Sequence, residues 1–410
     1  MKFIHLADLH LDQPFEGLGK LPARLLAELV EQHEKMIKQV VQQAITENVD
    51  FILIVGDTFH HSVVTIQTQQ LLINAMNRLN RHQIPVVMSF GNHDYYLPDN
   101  YWFEFPENVV LLKEQEVTTH CITTKQQEKV AISGFSYEER WINESKVSQF
   151  PTRDSQAVYH IGMYHGQQGK SQSTQQYAPF TLGEMKAKGY DYWALGHIHQ
   201  PMVISEDPLM IYPGSPLGHT KKEANSAGFL MIETGSEGWH YQWYPLNQVS
   251  WDVMTVELSQ LTTTKELLQQ LASSLKEGAA SPMVQLTSIT LLGMNTELEQ
   301  SLEMELRNGG LLRYLQSELG DSQELVWPFE IKRQLDEERV ELPLGVTREL
   351  ISQLSRRYLN EESFNGLMGD LYRQADLSRL VELDEELRQD LVVEAEELLV
   401  RELGGGKDDH

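Results

Sequence analysis

The stretch Phe51-Ile52-Leu53-Ile54-Val55-Gly56-Asp57-Thr58-Phe59-His60 decides the fold. Its first five residues are apolar without interruption, too short a run for a stable helix and bounded by glycine, which is the pattern of a strand buried on both faces. Gly56 lets the chain turn sharply, and Asp57 and His60 bring a carboxylate and an imidazole to the place where the strand ends. The same arrangement recurs on either side. Lys2–Ala7 precedes Asp8 and His10, Pro85–Phe90 precedes Asn92, His93 and Asp94, Val158–Tyr164 precedes His165, and Tyr190–Leu195 precedes His197 and His199. Val130–Gly134 is a further short apolar run. Helical patterns fill the early gaps, at Pro22–Asn48 and Thr65–Arg81, with Leu25, Leu26, Leu29, Ile37, Val40, Val41 and Ala44 expected along one face of the first. Strands alternating with helices predict a layered α/β fold, whose ligands gather at the carboxyl ends of strands.

Five polar blocks sit at those ends: Asp8-Leu9-His10, Gly56 to His60, Gly91-Asn92-His93-Asp94, His165-Gly166 and Gly196-His197-Ile198-His199. Taken singly, each is also what a turn, a helix cap or a satisfied core histidine needs. Taken together, five such blocks at five strand ends exceed what turns require. In an extended segment alternate side chains point the same way, so Asp-x-His and His-x-His each aim two groups at one place. The set mixes imidazole, carboxylate and amide oxygen, which suits a pair of divalent cations sharing a bridging carboxylate.

Composition narrows the class. At 410 residues with 41% hydrophobic and 22% charged residues, the chain has the make-up of a globular protein of two or three parts. No run approaches the length of a membrane span, the N-terminus runs straight into a strand, and Cys121 is the single cysteine. The expectation is a cytoplasmic protein without a membrane segment, disulfide or thiolate metal site. Net charge is −26, and residues 256–410 carry 15 Lys and Arg against 31 Asp and Glu. Such acidity argues against broad affinity for nucleic acid, unless bound cations supply a local positive centre. Three parts are expected: a catalytic domain over 1–255, a smaller α+β cap-like domain over 256–345 with strands near Trp251–Leu258 and Met283–Leu292, and a helical region over 346–410. Leucines from Leu350 to Leu391 punctuate the last part. They fit ordinary amphipathic packing, with partner binding as the alternative.

In their order, the blocks DLH, GDTFHH, GNHD, MYHG and GHIH resemble the five motifs of the calcineurin-like metallophosphoesterases, a β-sandwich flanked by helices. The start KFIHLADLHLD, His60 three residues after Asp57, and YPGSP at 212–216 resemble the SbcD-type DNA repair nucleases in particular. The likeness covers roughly residues 1–250. It implies that Asp8, His10 and His199 hold one metal, that Asn92, His165 and His197 hold the other, that Asp57 bridges them, and that both ions are manganese. It further implies His93 as the catalytic histidine with Asp94 as its orienting partner, and His60 as the group that positions the scissile phosphate. A DNA exonuclease or endonuclease is implied, together with an SbcC-like coiled-coil ATPase partner and a homodimer through residues 65–80. The alternative is a small-molecule or cyclic-nucleotide phosphodiesterase on the same fold. A protein phosphatase is disfavoured, because Phe59-His60-His61 stands where that branch has Asp-Arg-Gly. His5, His61, His82, His160 and His219 match no ligand position. Trp102, Phe103 and Phe105 either pack or stack on an unpaired base.

Overall fold

A computed structural model of the chain describes all residues except 170–175, 225, 236–237, 247, 262, 279–282, 294–301, 303, 321–323, 335–344, 361–362, 365, 369–384 and 405–410. In chain order the strands up to Pro245 are β1 (Lys2–Leu6), β2 (Phe51–Val55), β3 (Val86–Ser89), β4 (Val109–Leu111), β5 (Thr118–Thr123), β6 (Lys129–Gly134), β7 (Tyr159–His165), β8 (Tyr192–Gly196), β9 (Met202–Glu206), β10 (Leu209–Tyr212), β11 (Gly228–Gly235) and β12 (Gly238–Pro245). They build two six-stranded sheets, ordered β12-β11-β1-β2-β3-β4 and β5-β6-β7-β8-β10-β9. β1, β2 and β3 run parallel, with Phe3 opposite Phe51 and Ile52 opposite Val86, so the residues after all three emerge at the same edge. β7 and β8 do the same in the second sheet, pairing His165 with Gly196.

The continuous apolar runs follow from burial on two faces. Phe3, Phe51, Leu53, Val55 and Val87 meet Ile161, Met163, Tyr192, Ala194 and Ile211 in the layer between the sheets. Alternate residues Ile4, Leu6, Ile52, Ile54 and Met88 pack instead on Met36, Val40 and Val41 of helix α1 (Ala23–Thr46) and on Leu72 and Met76 of α2 (Ile66–Arg81). Thr65 caps α2, its side chain accepting from the Thr68 N–H. The far face of the second sheet carries an aromatic layer of Phe135, Tyr137, Phe150, Tyr164, Phe180, Trp193 and Tyr212. A layered α/β sandwich flanked by helices is thus the observed fold, as expected. The hairpin β11–β12 was not foreseen; it closes the first sheet by pairing β11 antiparallel with β1, Lys2 opposite Glu233.

By contacts the chain divides into two compact units. One holds residues 1–254, 268–288 and 305–330, the other 255–267, 289–304 and 331–410. Two segments of the stretch expected to form a separate cap therefore belong with the catalytic unit. Trp251, Val284, Leu286 and Trp327 pack there on Leu18, Leu25 and Leu29, and the Trp327 indole N–H donates to the Leu18 carbonyl at 3.0 Å. The helical character of the C-terminal part shows in helices at Arg348–Arg357 and Glu385–Gly404. Leu371, Leu377, Leu380 and Leu383 lie outside the described residues. Among the described residues no helix is long and apolar enough to cross a membrane.

Two buried histidines with no ligand role make the fold sensitive to acid. His5 has Nδ1 2.8 Å from the Tyr192 hydroxyl and Nε2 3.0 Å from the Leu195 carbonyl, and burial pushes its pKa down to about 3 against the opposing pull of that carbonyl. His160 accepts the Asp154 N–H at Nδ1 (2.9 Å), a bond only the unprotonated nitrogen can make, and burial brings it to about 4. Below the ordinary histidine pKa of about 6.5 the unfolded chain takes up protons that the folded chain refuses, so stability is full above that pH and is lost as pH falls. At pH 4.5 the loss through His5 alone is roughly 3 kcal/mol, at ~1.36 kcal/mol per pH unit. The fall in melting temperature of chelator-treated protein between pH 7 and 4.5 should therefore be smaller in a His5→Asn variant than in the wild type in calorimetry, and the same fall in both would contradict this account.

Candidate metal centre

The strand ends deliver their side chains through strained backbone. Asp8 (φ 53°), His10 (φ 42°), Asp57 (φ 48°) and His197 (φ 101°) all lie in the left-handed region that non-glycine residues avoid. Hydrogen bonds between neighbouring loops hold them there. The Asp8 N–H donates to the Gly56 carbonyl at 3.2 Å, the His10 N–H to the Asp57 carbonyl at 3.0 Å, and the His197 N–H reaches both Asp8 carboxylate oxygens at 3.0 Å. Gly56 (φ 74°) has no room for a side chain, since a Cβ there would collide with the His165 imidazole; one on Gly91 would collide with the Asp57 carboxylate.

The seven expected ligands converge. Donor atoms of Asp8, His10 and His199 lie within 4.8 Å of one another, and so do those of Asp8, Asp57 and His165. His10 Nε2 is 3.2 Å from His199 Nε2. Asp57 stands between the two groups, one carboxylate oxygen 3.8 Å from His10 Nε2 and 3.3 Å from His165 Nε2. On the other side the Asn92 amide oxygen is 3.1 Å from His165 Nε2 and 3.2 Å from His197 Nδ1. The outward nitrogens are tied off: His165 Nδ1 lies 3.0 Å from the Val55 carbonyl and His199 Nδ1 2.7 Å from a Glu223 carboxylate oxygen. A proton on each of those Nδ1 atoms leaves both Nε2 lone pairs facing inward.

Charge in this pocket is unbalanced in a way a cation would repair. Asp8, His10, Asp57, Asn92 and His165 are all buried, and among the described residues no Lys or Arg ion-pairs with either carboxylate. Burial pushes Asp8 up to about 6 despite the pull of His165 and His199. His165 resists burial because Asp57 and Asp8 outweigh it, and rises to about 9; burial wins at His197, which falls to about 3, and at His10. Without metal, protons serve as the counter-charge of the two carboxylates. The mixed N and O donors fit divalent cations, whose binding displaces those protons.

His60 and His93 stand over this cluster. Their rings stack at 4.9 Å, both lie edge-on to His10, and His60 Nδ1 is 3.3 Å from His10 Nδ1. Asp94 has a different task from the one expected. Its carboxylate receives four backbone N–H groups, from Gly91 (2.7 Å), Asp57 (3.2 Å), Thr58 (2.8 Å) and Phe59 (3.3 Å). His93 Nδ1 meets the His60 carbonyl instead, at 3.1 Å, and the His93 N–H donates to Asp57 at 3.0 Å. Asp94 therefore fastens the loop that carries Asp57 and does not orient His93. Sequence reading also missed Asp12, which accepts the His60 N–H at 2.7 Å, Tyr177, whose ring packs 4.6 Å from that of His197, and Glu223. Tyr177 and Glu223 fall in no motif; Asp12 closes the KFIHLADLHLD start two residues after His10, and that spacing was its signal.

Comparison with known proteins agrees with this geometry. A model of the calcineurin-like phosphoesterase family matches residues 1–201. Over 345 residues, 82% of this chain and 83% of the relative, the sequence is 31% identical to the Uncharacterized metallophosphoesterase YhaO of Bacillus subtilis (strain 168). The chain belongs to the calcineurin-like metallophosphoesterase family. It is also similar to the DNA double-strand break repair protein Mre11 of Archaeoglobus fulgidus, 24% identical over 246 residues that cover 55% of this chain and 52% of that one. Among solved structures it is similar to a dimetal phosphatase from Danio rerio, with TM-score 0.38 and 10% identity over 59% of this chain and 95% of that one. As a member of this family the chain is a metal-dependent phosphoesterase.

Replacing Asp94 by Asn puts an amide donor against backbone donors that the carboxylate now satisfies. Asp94→Asn should lower unfolding free energy by about 3 kcal/mol in a urea titration, the order expected when buried N–H groups lose a charged acceptor. It should also reduce divalent-cation uptake measured by calorimetry. Unchanged uptake would show that the Asp57 loop holds its place without Asp94.

Proposed function

We propose that this chain is a manganese-dependent phosphodiesterase that cleaves DNA, as an exonuclease and at ends as an endonuclease, in DNA repair. The observation that carries the reading is the stacked pair His60 and His93, set over the Asp8, His10, Asp57 and Asn92 cluster where a phosphodiester would lie. Similarity to the archaeal Mre11 supports DNA as the substrate class. Asp8, His10 and His199 would hold one cation, Asn92, His165 and His197 the other, with Asp57 shared. Such cations supply Lewis acidity, a water of lowered pKa at neutral pH and the positive field that lets an acidic chain attract phosphate.

The rest falls to the protein. His10 presents Nε2 inward only when its proton is on Nδ1, which then donates to His60 Nδ1. His60 consequently carries its own proton on Nε2, as a donor to a phosphate oxygen. Burial, with His93 and His61 nearby, lowers the His60 pKa to about 4, so it binds as a neutral donor. His93 keeps Nδ1 engaged with the His60 carbonyl, and the proton it exchanges with the leaving oxygen is the one on Nε2. Asp57 accepts the His93 N–H and so ties the acid–base residue to the shared ligand.

Residues 256–345 are proposed as the part that selects DNA geometry. The helical region 346–410, with Leu350 and Leu354 exposed, is proposed as the seat of an SbcC-like coiled-coil ATPase, and residues 65–80 as a self-association surface, all in the cytoplasm.

With manganese, purified protein should degrade end-labelled DNA in preference to a chromogenic phosphodiester or a phosphopeptide, and chelation should stop it. His93→Ala should lower cleavage by about 10²–10⁴-fold while cation uptake persists, as for loss of an acid–base group. Asp57→Ala should lose the cations themselves. Preference for the chromogenic ester over DNA would point to the small-molecule reading.

A further inference from the structure

Glu223 lies outside every motif, yet it is built into the metal centre. It closes a short 3-10 turn, Lys221–Glu223, whose backbone is pinned at both ends: the Glu223 N–H donates to the Thr220 carbonyl at 3.1 Å, and the Ser226 hydroxyl to the Glu223 carbonyl at 2.7 Å. The side chain points inward and is 8% exposed. One carboxylate oxygen is 2.7 Å from His199 Nδ1 and the other accepts the His219 N–H at 2.7 Å. His219 is in turn fixed by its ring, which is buried, lies 5.2 Å from that of Phe15 and sets Nε2 3.1 Å from His33 Nε2 on α1.

A carboxylate that served only to close the turn would need the His219 N–H and nothing more. Here the second oxygen is spent on an imidazole whose opposite nitrogen is 3.2 Å from His10 Nε2, among the donor atoms of the first metal group. An acceptor at Nδ1 draws the imidazole proton there, leaving the Nε2 lone pair for a cation and raising its basicity. His199 is also less buried than its partners, with 29% of its side chain exposed, so packing alone does not fix its ring. We infer that Glu223 is a positioning residue of the metal centre, holding His199 in the tautomer and orientation that bind a divalent cation; this rests on the cation-site reading and not on the choice of DNA as substrate.

Glu223→Gln tests this without a change of volume. A glutamine has one acceptor oxygen, so if it serves His219 its amide group opposes the His199 Nδ1 proton, and if it serves His199 the His219 N–H is left unmet. Manganese would be titrated into the full-length wild type, Glu223→Gln, His199→Ala and the double variant, following free manganese by its paramagnetic resonance signal. The wild type should bind two equivalents. Glu223→Gln should keep one unchanged and weaken the other 10- to 100-fold, the range found for such outer partners. In the His199→Ala background the same substitution should add nothing, because its effect passes through that ring. Nitrogen-15 spectra of the metal-free protein, taken at a pH high enough that the ring carries a single proton, should place the His199 proton on Nδ1 in the wild type and on a mixture of nitrogens in Glu223→Gln. Wild-type affinity in Glu223→Gln, or an equal loss with and without His199, would overturn the inference. A wild type that takes up no cation would overturn the cation-site reading itself.

Discussion

The structure depends on keeping two carboxylates, Asp8 and Asp57, out of water and among imidazoles. A buried charge is tolerated only when it is paired or coordinates a cation, so everything around the pair is arranged to provide one of the two. His165 Nε2 faces Asp57 at 3.3 Å, the His197 N–H answers Asp8, and Asp94 absorbs the N–H groups of the loop that carries Asp57. The apolar sandwich below is what makes such an arrangement possible: strands buried on both faces are rigid, and their ends hold loops to within fractions of an ångström.

Strain is localised in the same few residues. Asp8, His10, Asp57 and His197 adopt a backbone that costs about 1–3 kcal/mol each in ordinary surroundings. Each is locked by a hydrogen bond from a neighbouring loop, so the cost is met by the sandwich and not by local sequence. Ligand residues are thereby held in place before any cation arrives, which lowers the entropy lost on binding.

Much of this was legible in the sequence, for a physical reason. A strand buried on both faces must be continuously apolar, and a ligand at its end must be polar, so FILIV followed by Gly-Asp announces both at once. All seven proposed ligands sit directly after such runs or at the end of one, as His165 does on β7. What stayed hidden depends on partners far apart in the chain. Asp94 reads as a neighbour of His93, but a carboxylate two bonds from its backbone reaches whichever N–H groups the fold presents, and those belong to Asp57, Thr58, Phe59 and Gly91. Glu223 sits in an exposed-looking Lys-Lys-Glu run, and only the tertiary structure turns it toward His199. The pairing of β11 with β1 leaves no local signature, because sheet partners need share no sequence pattern beyond alternation.

That last pairing bears on how the protein is made. β1 holds the central place in its sheet, yet one of its neighbours is β2, from the same early part of the chain, and the other is β11, at Gly228–Gly235. During synthesis β1 must wait with an unsatisfied edge until Gly228–Gly235 has left the ribosome. Pairing between segments this far apart in sequence is slow to form. It also keeps the catalytic pocket from assembling early, since His199 and its carboxylate partner are among the later residues to emerge. Hydrolytic capacity therefore arises only once the sandwich has closed.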